Sequence, residues 1–239
     1  MHRLFVPPER IAELMRLDPA QSRHVELVLR LEPGAELEVF DGRGGRWRAQ
    51  IELPGVLRLG ARLEADRRGT DVWIAQALAK GEKLDLVVQK ATELGATRIL
   101  PLAAKRSVVR LDAERGAKRV ERLRRIAQEA ARQCGRSDVP TVDPARTLAD
   151  LAALLQADPE RRGLLLDPEE KEMRLSHAAR GASRLLLAVG PEGGFTAAER
   201  GQALATGFTP VGLGPRILRT ETAGLAALAI VQHLAGDLG

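Results

Sequence analysis

The sequence predicts an α/β fold in which a mostly parallel sheet follows a small β-barrel-like module. Three observations lead to this prediction. Short alternating strands dominate the chain up to about residue 69, and strand and helix patterns alternate from residue 70 onward. In addition, two glycine-containing segments each join an apolar strand to a helical pattern. Strands that alternate with helices are typical of a parallel sheet covered by helices on both faces.

The first module is predicted to contain three consecutive strands and one short helix. Alternating apolar and polar residues predict strands at residues 36–40, 47–53 and 56–63. The glycine-rich run at residues 41–45 predicts the turn between the first two. Before these strands, residues 18–31 predict a short helix that carries His24 and Arg30. A polar run at residues 67–70 is a candidate hinge.

The longer C-terminal part alternates apolar runs with amphipathic patterns. The apolar runs predict strands at residues 72–78, 98–102, 163–166, 184–189 and 208–213. Apolar residues at helical spacing predict helices at residues 84–94, 113–134, 148–155, 196–205 and from about 221 onward. Residues 223–231 are apolar nearly all round, which predicts a last helix that is buried on more than one side.

The composition favours a polyanionic partner such as nucleic acid. The formal net charge is +5 and the sequence pI is about 10.0. Aromatic residues make up only 3% and tyrosine is absent, so phosphate contacts and arginine planes are expected to replace a base-stacking platform. We expect a cytoplasmic protein without a membrane span, because no apolar run reaches the required length.

The cysteine and histidine residues give no sign of a metal site. The single cysteine, Cys134, excludes an internal disulfide and is expected to pack as a small apolar residue. The four histidines are scattered and form no ligand spacing, so no metal is expected.

The two glycine-containing segments are the strongest indication of a ligand site. Residues 189–195 read V-G-P-E-G-G-F and lead to Thr196 and Glu199, which are spaced as a helix capping box. Residues 213–223 read L-G-P-R-I-L-R-T-E-T-A. Small ligands bind at strand ends in open α/β sheets. Neither segment has the spacing of a phosphate loop or of a dinucleotide-binding loop, which disfavours ATP and nicotinamide enzymes.

The second segment combines irregular backbone with apolar and cationic side chains. Its amides can hydrogen-bond an adenine edge, and Ile217 and Leu218 can pack against the adenine face. Arg216 and Arg219, on either side of that pair, remain for an anion. The alternative is that Arg219 and Glu221 form a surface ion pair of little energetic value at the start of a helix.

These segments resemble the bacterial 16S rRNA (uracil-N3)-methyltransferase family, a branch of the SPOUT superfamily. The resemblance lies in V-G-P-E-G-G-F-T-x-x-E followed by L-G-x-R-I-L-R-x-E-T-A. It extends to residues 80–83 with 90–95, to residues 105–107, to residues 129–136 and, near the N-terminus, to residues 2–5 and 24–30. Cys134 stands where the family commonly has serine.

The resemblance implies a PUA-like RNA-binding β-barrel domain at residues 1–69 and a SPOUT methyltransferase domain with a C-terminal trefoil knot at residues 70–239. It further implies a homodimer, and S-adenosylmethionine as the cofactor. The implied cofactor-binding residues are Leu165, Leu166, Gly190, Pro191, Glu192, Gly193, Gly194, Leu213, Gly214, Ile217, Leu218 and Thr220. The candidate RNA-binding residues are Arg3, Arg23, Arg30, Lys83, Lys90, Arg106 and Arg136.

The implied reaction is methylation of N3 of a uridine in the 16S rRNA of the small ribosomal subunit, near the decoding site. Arg219 or Arg216 would stabilise negative charge on the uracil, and Glu221 is a candidate proton acceptor. Three alternatives remain open from the sequence. They are a SPOUT enzyme acting on a ribose 2′-oxygen or another base, a non-catalytic RNA-binding factor in ribosome assembly, and a nucleotide-binding regulator.

Overall fold

The computed structural model of the protein describes residues 1–64, 69–78, 82–107 and 113–239. The chain divides into two compact units. The first comprises Met1–Arg67 together with Gln128–Val139, and the second comprises Arg68–Ala127 together with Pro140–Gly239. Two residues of the candidate hinge, Arg67 and Arg68, lie outside the described residues. So do Lys80 and Gly81, which belong to the family-like segment at residues 80–83.

The first unit contains a five-stranded sheet in the order β1-β3-β4-β5-β2. Its strands are β1 (Arg3–Phe5), β2 (Leu14–Arg16), β3 (Glu36–Phe40), β4 (Arg46–Leu53) and β5 (Val56–Arg62). Neighbouring strands are antiparallel except β1 and β3, which are parallel. The three predicted strands are confirmed. Strand β2 was not predicted, because three residues are too few to show alternation.

The predicted helix at residues 18–31 forms as a short helix followed by a wider turn. Asp18 caps α1 (Pro19–Arg23) in a reciprocal capping box with Gln21. The chain then continues as a π-helical turn over His24–Val28. Arg30 follows in the left-handed region at φ 54° and ends the helical segment.

The second unit is built on a six-stranded parallel sheet in the order β11-β9-β10-β6-β7-β8. Its strands are β6 (Asp71–Ala77), β7 (Arg98–Leu102), β8 (Thr141–Val142), β9 (Arg162–Leu166), β10 (Arg184–Val189) and β11 (Phe208–Val211). All described pairs in it are parallel, as predicted. The last strand ends at Val211, two residues before the predicted end, because the irregular glycine segment begins at Gly212.

Six further helices follow α1 in the described part of the chain. They are α2 (Lys83–Glu93), α3 (Ala113–Cys134), α4 (Leu148–Gln156), α5 (Leu175–Ala178), α6 (Ala197–Ala205) and α7 (Thr220–Ala235). The four-residue α5 was too short to predict from periodicity. Cys134, expected to pack, is exposed where α3 ends. No helix in the described ranges has both the length and the apolar character needed to cross a membrane.

Helix α7 buries one apolar face and covers part of the other. Gly224, Ala227, Leu228 and Val231 recur at helical spacing and are fully buried. The helix packs against β6, β10 and α2. Leu225 and Ile230, which flank this face on opposite sides of the helix, are half-buried. This geometry places the start of α7 beside the ends of the central strands.

Candidate active site

Three strand ends meet at one edge of the parallel sheet. Strand β9 lies between β10 and β11, and its last residue, Leu166, pairs with Val189 on one side and Val211 on the other. The glycine segments at residues 190–196 and 212–219 follow β10 and β11 directly. The carboxyl ends of parallel strands are where such sheets bind ligands. The structure therefore brings together the three segments that the sequence singled out.

Hydrogen bonds through Thr220 join the two glycine segments. The Thr220 hydroxyl donates to the carbonyl oxygen of Gly190 at 2.5 Å. It accepts a hydrogen bond at 2.8 Å from the side-chain amide of Gln76, at the end of β6. Gln76 and Thr220 are buried, so these bonds are shielded from water and fix the base of the site.

Two glycines adopt backbone conformations that other residues rarely adopt. Gly194 has φ 67° and Gly214 has φ 132°. A Cβ atom added to Gly194 would meet no atom within 4 Å, so its conformation and not crowding favours glycine there. These glycines let the backbone of both segments turn sharply above the strand ends.

The segment at residues 190–196 is held from the side by the turn after β7. The Arg106 guanidinium donates to the carbonyl oxygen of Gly193 at 2.6 Å. The Lys105 amide donates to the buried carboxylate of Glu199 at 2.7 Å. Burial alone would raise the pKa of Glu199, but hydrogen bonds from the amides of Lys105 and Thr196 outweigh it and hold that pKa below its usual value. Glu199 therefore serves as a charged anchor for this segment.

Three of the four predicted cationic and apolar side chains of the second segment are exposed, and Leu218 is half-buried. Arg216 and Arg219 are exposed, and Ile217 is 86% exposed. Within the described part of the chain, neither arginine side chain makes a hydrogen bond or an ion pair. An apolar side chain this exposed beside two free cations is available to bind a ligand.

Lys83 connects acidic residues from both glycine segments. Its ammonium group lies 2.9 Å from Oε1 of Glu192 and 3.6 Å from Oε1 of Glu221. The hydrogen bond to Glu192 raises the pKa of Lys83. Oε2 of Glu221 is buried and lacks a hydrogen-bond partner among the described residues. The sequence singled out all three residues but did not indicate that they meet.

A scan against protein families places the chain in one of them. The model described as an RNA methyltransferase domain matches residues 66–232. The chain belongs to the RNA methyltransferase family. A second model, described as an RNA methyltransferase PUA domain, matches residues 17–55.

Relatives of this RNA methyltransferase family member match along nearly its whole length. Ribosomal RNA small subunit methyltransferase E of Synechocystis is 37% identical over 98% of this chain and 78% of its own length. The enzyme of the same description from Neisseria gonorrhoeae, solved bound to S-adenosyl methionine, is 34% identical with a TM-score of 0.88 and covers 98% of both chains. A Legionella pneumophila protein solved with the bound cofactor SAM is 34% identical, with a TM-score of 0.87, over 97% of this chain and 96% of its own. The predicted fold class, a SPOUT α/β domain preceded by a PUA-like domain, is thus confirmed.

The candidate RNA-binding residues fall into two groups. Arg23 and Arg30 are exposed in the first unit. The others have protein partners. Four of them pair with carboxylates: Arg3 with Glu38, Arg136 with Asp138, Lys90 with Glu93, and Lys83 with Glu192 and Glu221. Arg3 also donates to the carbonyl oxygens of Ala131 and Arg136. Arg106 donates to the carbonyl oxygen of Gly193. A guanidinium or ammonium group with a carboxylate partner is less available to a phosphate.

Gln76 is a site residue that the sequence did not reveal. It is the sixth residue of an apolar strand and resembles an ordinary strand position. Its side chain is 1% exposed and, besides binding Thr220, leaves Oε1 buried without a partner among the described residues. A polar residue inside an otherwise apolar strand of a parallel sheet was the available signal.

Proposed function

We propose that this protein is an S-adenosylmethionine-dependent methyltransferase that methylates N3 of a uridine in the 16S rRNA of the small ribosomal subunit, near the decoding site. The observation that carries the proposal is the meeting of both glycine segments, through Thr220 and Gly190, at the carboxyl edge of the sheet in a member of the RNA methyltransferase family. The descriptions of its relatives support small-subunit rRNA as the substrate. The choice of uracil N3 rests on the resemblance of residues 189–199 and 213–223.

The residues at the strand ends fit the cofactor. The backbones of residues 165–166, 190–194 and 213–220 would hold it, with Ile217 and Leu218 against the adenine. The exposure of Ile217 and the open space above Gly194 support this assignment. When bound, S-adenosylmethionine supplies a methyl group that is already activated on a sulfonium.

The protein then has to align and deprotonate the nucleophile. Uracil N3 carries a proton and is a poor nucleophile until that proton leaves. Glu221 accepts the proton in this proposal. Arg219, together with Arg216, stabilises the negative charge that develops on the uracil oxygens. The free guanidinium groups and the unpartnered Oε2 of Glu221 support these roles.

The two units divide the work in this proposal. Residues 1–69 form the RNA-binding domain, with Arg23 and Arg30 as its exposed cations, and residues 70–239 bind the cofactor and catalyse transfer. The protein acts in the cytoplasm as a homodimer. The half-buried apolar residues Leu225 and Ile230 of α7, together with Leu86 of α2, which is 45% exposed, support a subunit interface beside these helices. The knot in the second domain is part of the same proposal.

The deciding experiment uses small ribosomal subunits from cells that lack this gene. Purified protein and labelled S-adenosylmethionine are added, the rRNA is digested, and the labelled nucleoside is identified by chromatography. The expected product is N3-methyluridine. If the labelled product is 2′-O-methyluridine instead, the methyl acceptor is the ribose 2′-oxygen and not uracil N3. Cofactor binding without transfer would contradict the proposed substrate, and absence of cofactor binding would contradict the proposed enzyme class.

A further inference from the structure

We infer that Lys83 is a positioning residue of the catalytic site, which holds the Glu221 carboxylate in place for accepting the uracil proton. This inference rests on the proposed function, because it assigns a role to a residue beside the proposed proton acceptor. It differs from the RNA contact that the sequence suggested for Lys83. The difference comes from the partners that the fold brings to the ammonium group.

The ammonium group of Lys83 bridges the two cofactor segments. It donates a hydrogen bond of 2.9 Å to Glu192, in the segment after β10, and lies 3.6 Å from Glu221, in the first turn of α7. The bridge spans side chains 109 residues apart in the sequence. Together with the Thr220–Gly190 bond, it links these segments a second time.

Lys83 does not serve the helix on which it lies. It is the first residue of α2, where the helix dipole presents its positive end. A cation there is unfavourable by a few tenths of a kcal/mol to about 1 kcal/mol. The two acidic partners of Lys83 offset this cost, whereas a lysine side chain that pointed into solvent would have no such compensation. The position therefore favours a role for the side chain outside α2.

The surroundings of Glu221 leave one carboxylate oxygen for a substrate. Its side chain is 15% exposed. Oε1 faces Lys83, and Oε2 is buried without a hydrogen-bond partner among the described residues. Buried polar atoms in folded proteins nearly always have a partner. A donor that arrives with the substrate, such as the uracil N3–H, would supply it.

The charge balance around Lys83 argues against an RNA phosphate as its main partner. Two carboxylates already lie within 4 Å of the single ammonium group. A phosphate at this place would approach both carboxylates. Like charges at such distances repel.

The proposed step conserves atoms and charge. Glu221 Oε2 takes the proton from uracil N3 and becomes a neutral carboxylic acid. The electron pair left on N3 forms the new bond to the methyl carbon of the donor. The carbon–sulfur bond breaks, and its electrons remain on sulfur, giving S-adenosylhomocysteine. The proton then leaves Glu221 for the solvent. Lys83 takes no part in these bonds and acts by holding the Glu221 carboxylate in position.

The groups facing Glu221 define which variants isolate this effect. Among the described residues, the charged side chains brought to it are Lys83 from α2 and, through Lys83, Glu192. The flanking cation on its own segment is Arg219, and the neighbouring polar groups are Thr220 and, from β6, Gln76. We therefore compare Lys83→Met with the conservative Lys83→Arg. Lys118→Met is the matched control, because Lys118 forms a similar pair with Glu114 on α3.

The first measurement needs neither cofactor nor RNA. The protein is labelled with ¹³C at the glutamate side-chain carboxyl carbons, and the Glu221 signal is assigned by its loss in Glu221→Gln. The chemical shift and line width of this signal are then compared at one pH in the cofactor-free protein. Lys83→Met should change both, because the carboxylate loses the ammonium group that fixes its position. Lys83→Arg and Lys118→Met should leave both close to those of the unmodified protein. An unchanged signal in Lys83→Met overturns the inference.

The second measurement separates positioning from RNA binding. With saturating S-adenosylmethionine, Lys83→Met should lower kcat about tenfold while KM for the small subunit stays the same. Lys83→Arg should recover most of the rate. An increase in KM at unchanged kcat overturns the inference in favour of a phosphate contact. Because the NMR comparison involves no catalysis, its result stands apart from the success or failure of the proposed methylation.

Discussion

The Thr220 side chain donates a hydrogen bond to the carbonyl oxygen of Gly190 at 2.5 Å, and this contact joins the first turn of α7 to the loop after β10. Without it, the two segments would be connected only through side chains nearer the solvent. The side-chain amide of Gln76 completes the arrangement from β6. A buried hydroxyl group thus provides one of the two links between the cofactor segments, the other being Lys83.

Removal of this hydroxyl group should loosen the site. Thr220→Val keeps the shape of the side chain but leaves the Gly190 carbonyl and the Gln76 amide without a buried partner. We expect a loss of about 1–3 kcal/mol in the free energy of unfolding and weaker binding of S-adenosylmethionine by calorimetry. Thr220→Ser retains the hydroxyl and is the control. Equal affinity and stability in the valine variant and the unmodified protein would show that the contact is dispensable.

The backbone conformation at position 194 should require Gly194. At φ 67° a β-branched residue is strained, at a cost of about 1–2 kcal/mol. Gly194→Val should therefore abolish binding of S-adenosylmethionine by changing the path of the loop. Gly201→Ala is a suitable control, because Gly201 lies within α6 and an added Cβ meets nothing within 4 Å. It should stabilise the protein by about 0.5–1 kcal/mol. A valine variant with full affinity would remove residue 194 from the site.

Arg219 should act in turnover more than in cofactor binding. Its guanidinium is exposed at the start of α7, where we assign it to the charge developing on the uracil. Arg219→Ala should lower kcat by about 10²-fold with little change in the affinity for S-adenosylmethionine. The exposed Arg180, outside the glycine segments, gives the control Arg180→Ala. Full turnover of the Arg219 variant at saturating cofactor would exclude the residue from the mechanism.

A partly buried ion-pair network at the opposite edge of the sheet should make stability depend on pH. Arg161 binds Asp71 at 2.5 Å and stacks on Trp73, with its guanidinium carbon 3.5 Å from the ring centroid. Burial would raise the pKa of Asp71, but hydrogen bonds from Thr97 and Arg161 outweigh it, and the pKa is lowered. Its stabilising contribution is therefore present above the unfolded value of about 3.9 and is lost as the pH falls through the lower folded value.

Urea unfolding followed by circular dichroism, from about pH 7 down to about pH 3, would measure this contribution. Asp71→Asn should lower the free energy of unfolding at neutral pH and flatten its decline in acid. Glu121→Gln, which removes an exposed carboxylate paired with Arg125 on α3, should leave the profile unchanged. An Asp71→Asn profile that declines as steeply as that of the unmodified protein would mean that other carboxylates carry the acid sensitivity.

Several elements could be predicted because their signals are local. The alternation in residues 47–53 shows β4, and the capping box of Thr196 and Glu199 marks the start of α6. The glycine segments were found for the same reason, since the turn residues and the adjoining strand and helix patterns are contiguous. Strands β2 and β8 were missed because two or three residues show no periodicity, and their formation depends on pairing with a distant strand.

The charged residues show where sequence reasoning stops. Arg3 looked like a phosphate-binding residue, yet only 12% of its side chain is exposed and it binds Glu38. Lys83 and Lys90 lie seven residues apart on α2 and looked equivalent. The structure pairs Lys90 with Glu93, a near neighbour, and Lys83 with two glutamates far along the chain. Which carboxylate an arginine or lysine meets depends on how the chain crosses itself.

The sequence by itself determined the α/β class, the family resemblance and the two segments at the strand ends, because each is written in neighbouring residues. The tertiary structure decided the partners. It brought residues 128–139 into the first unit, placed Gln76 against Thr220 across 144 residues, and set Lys83 between Glu192 and Glu221. The physical reason is that hydrogen bonds and ion pairs act over a few ångströms in space, and a linear pattern does not specify which distant residues approach that closely.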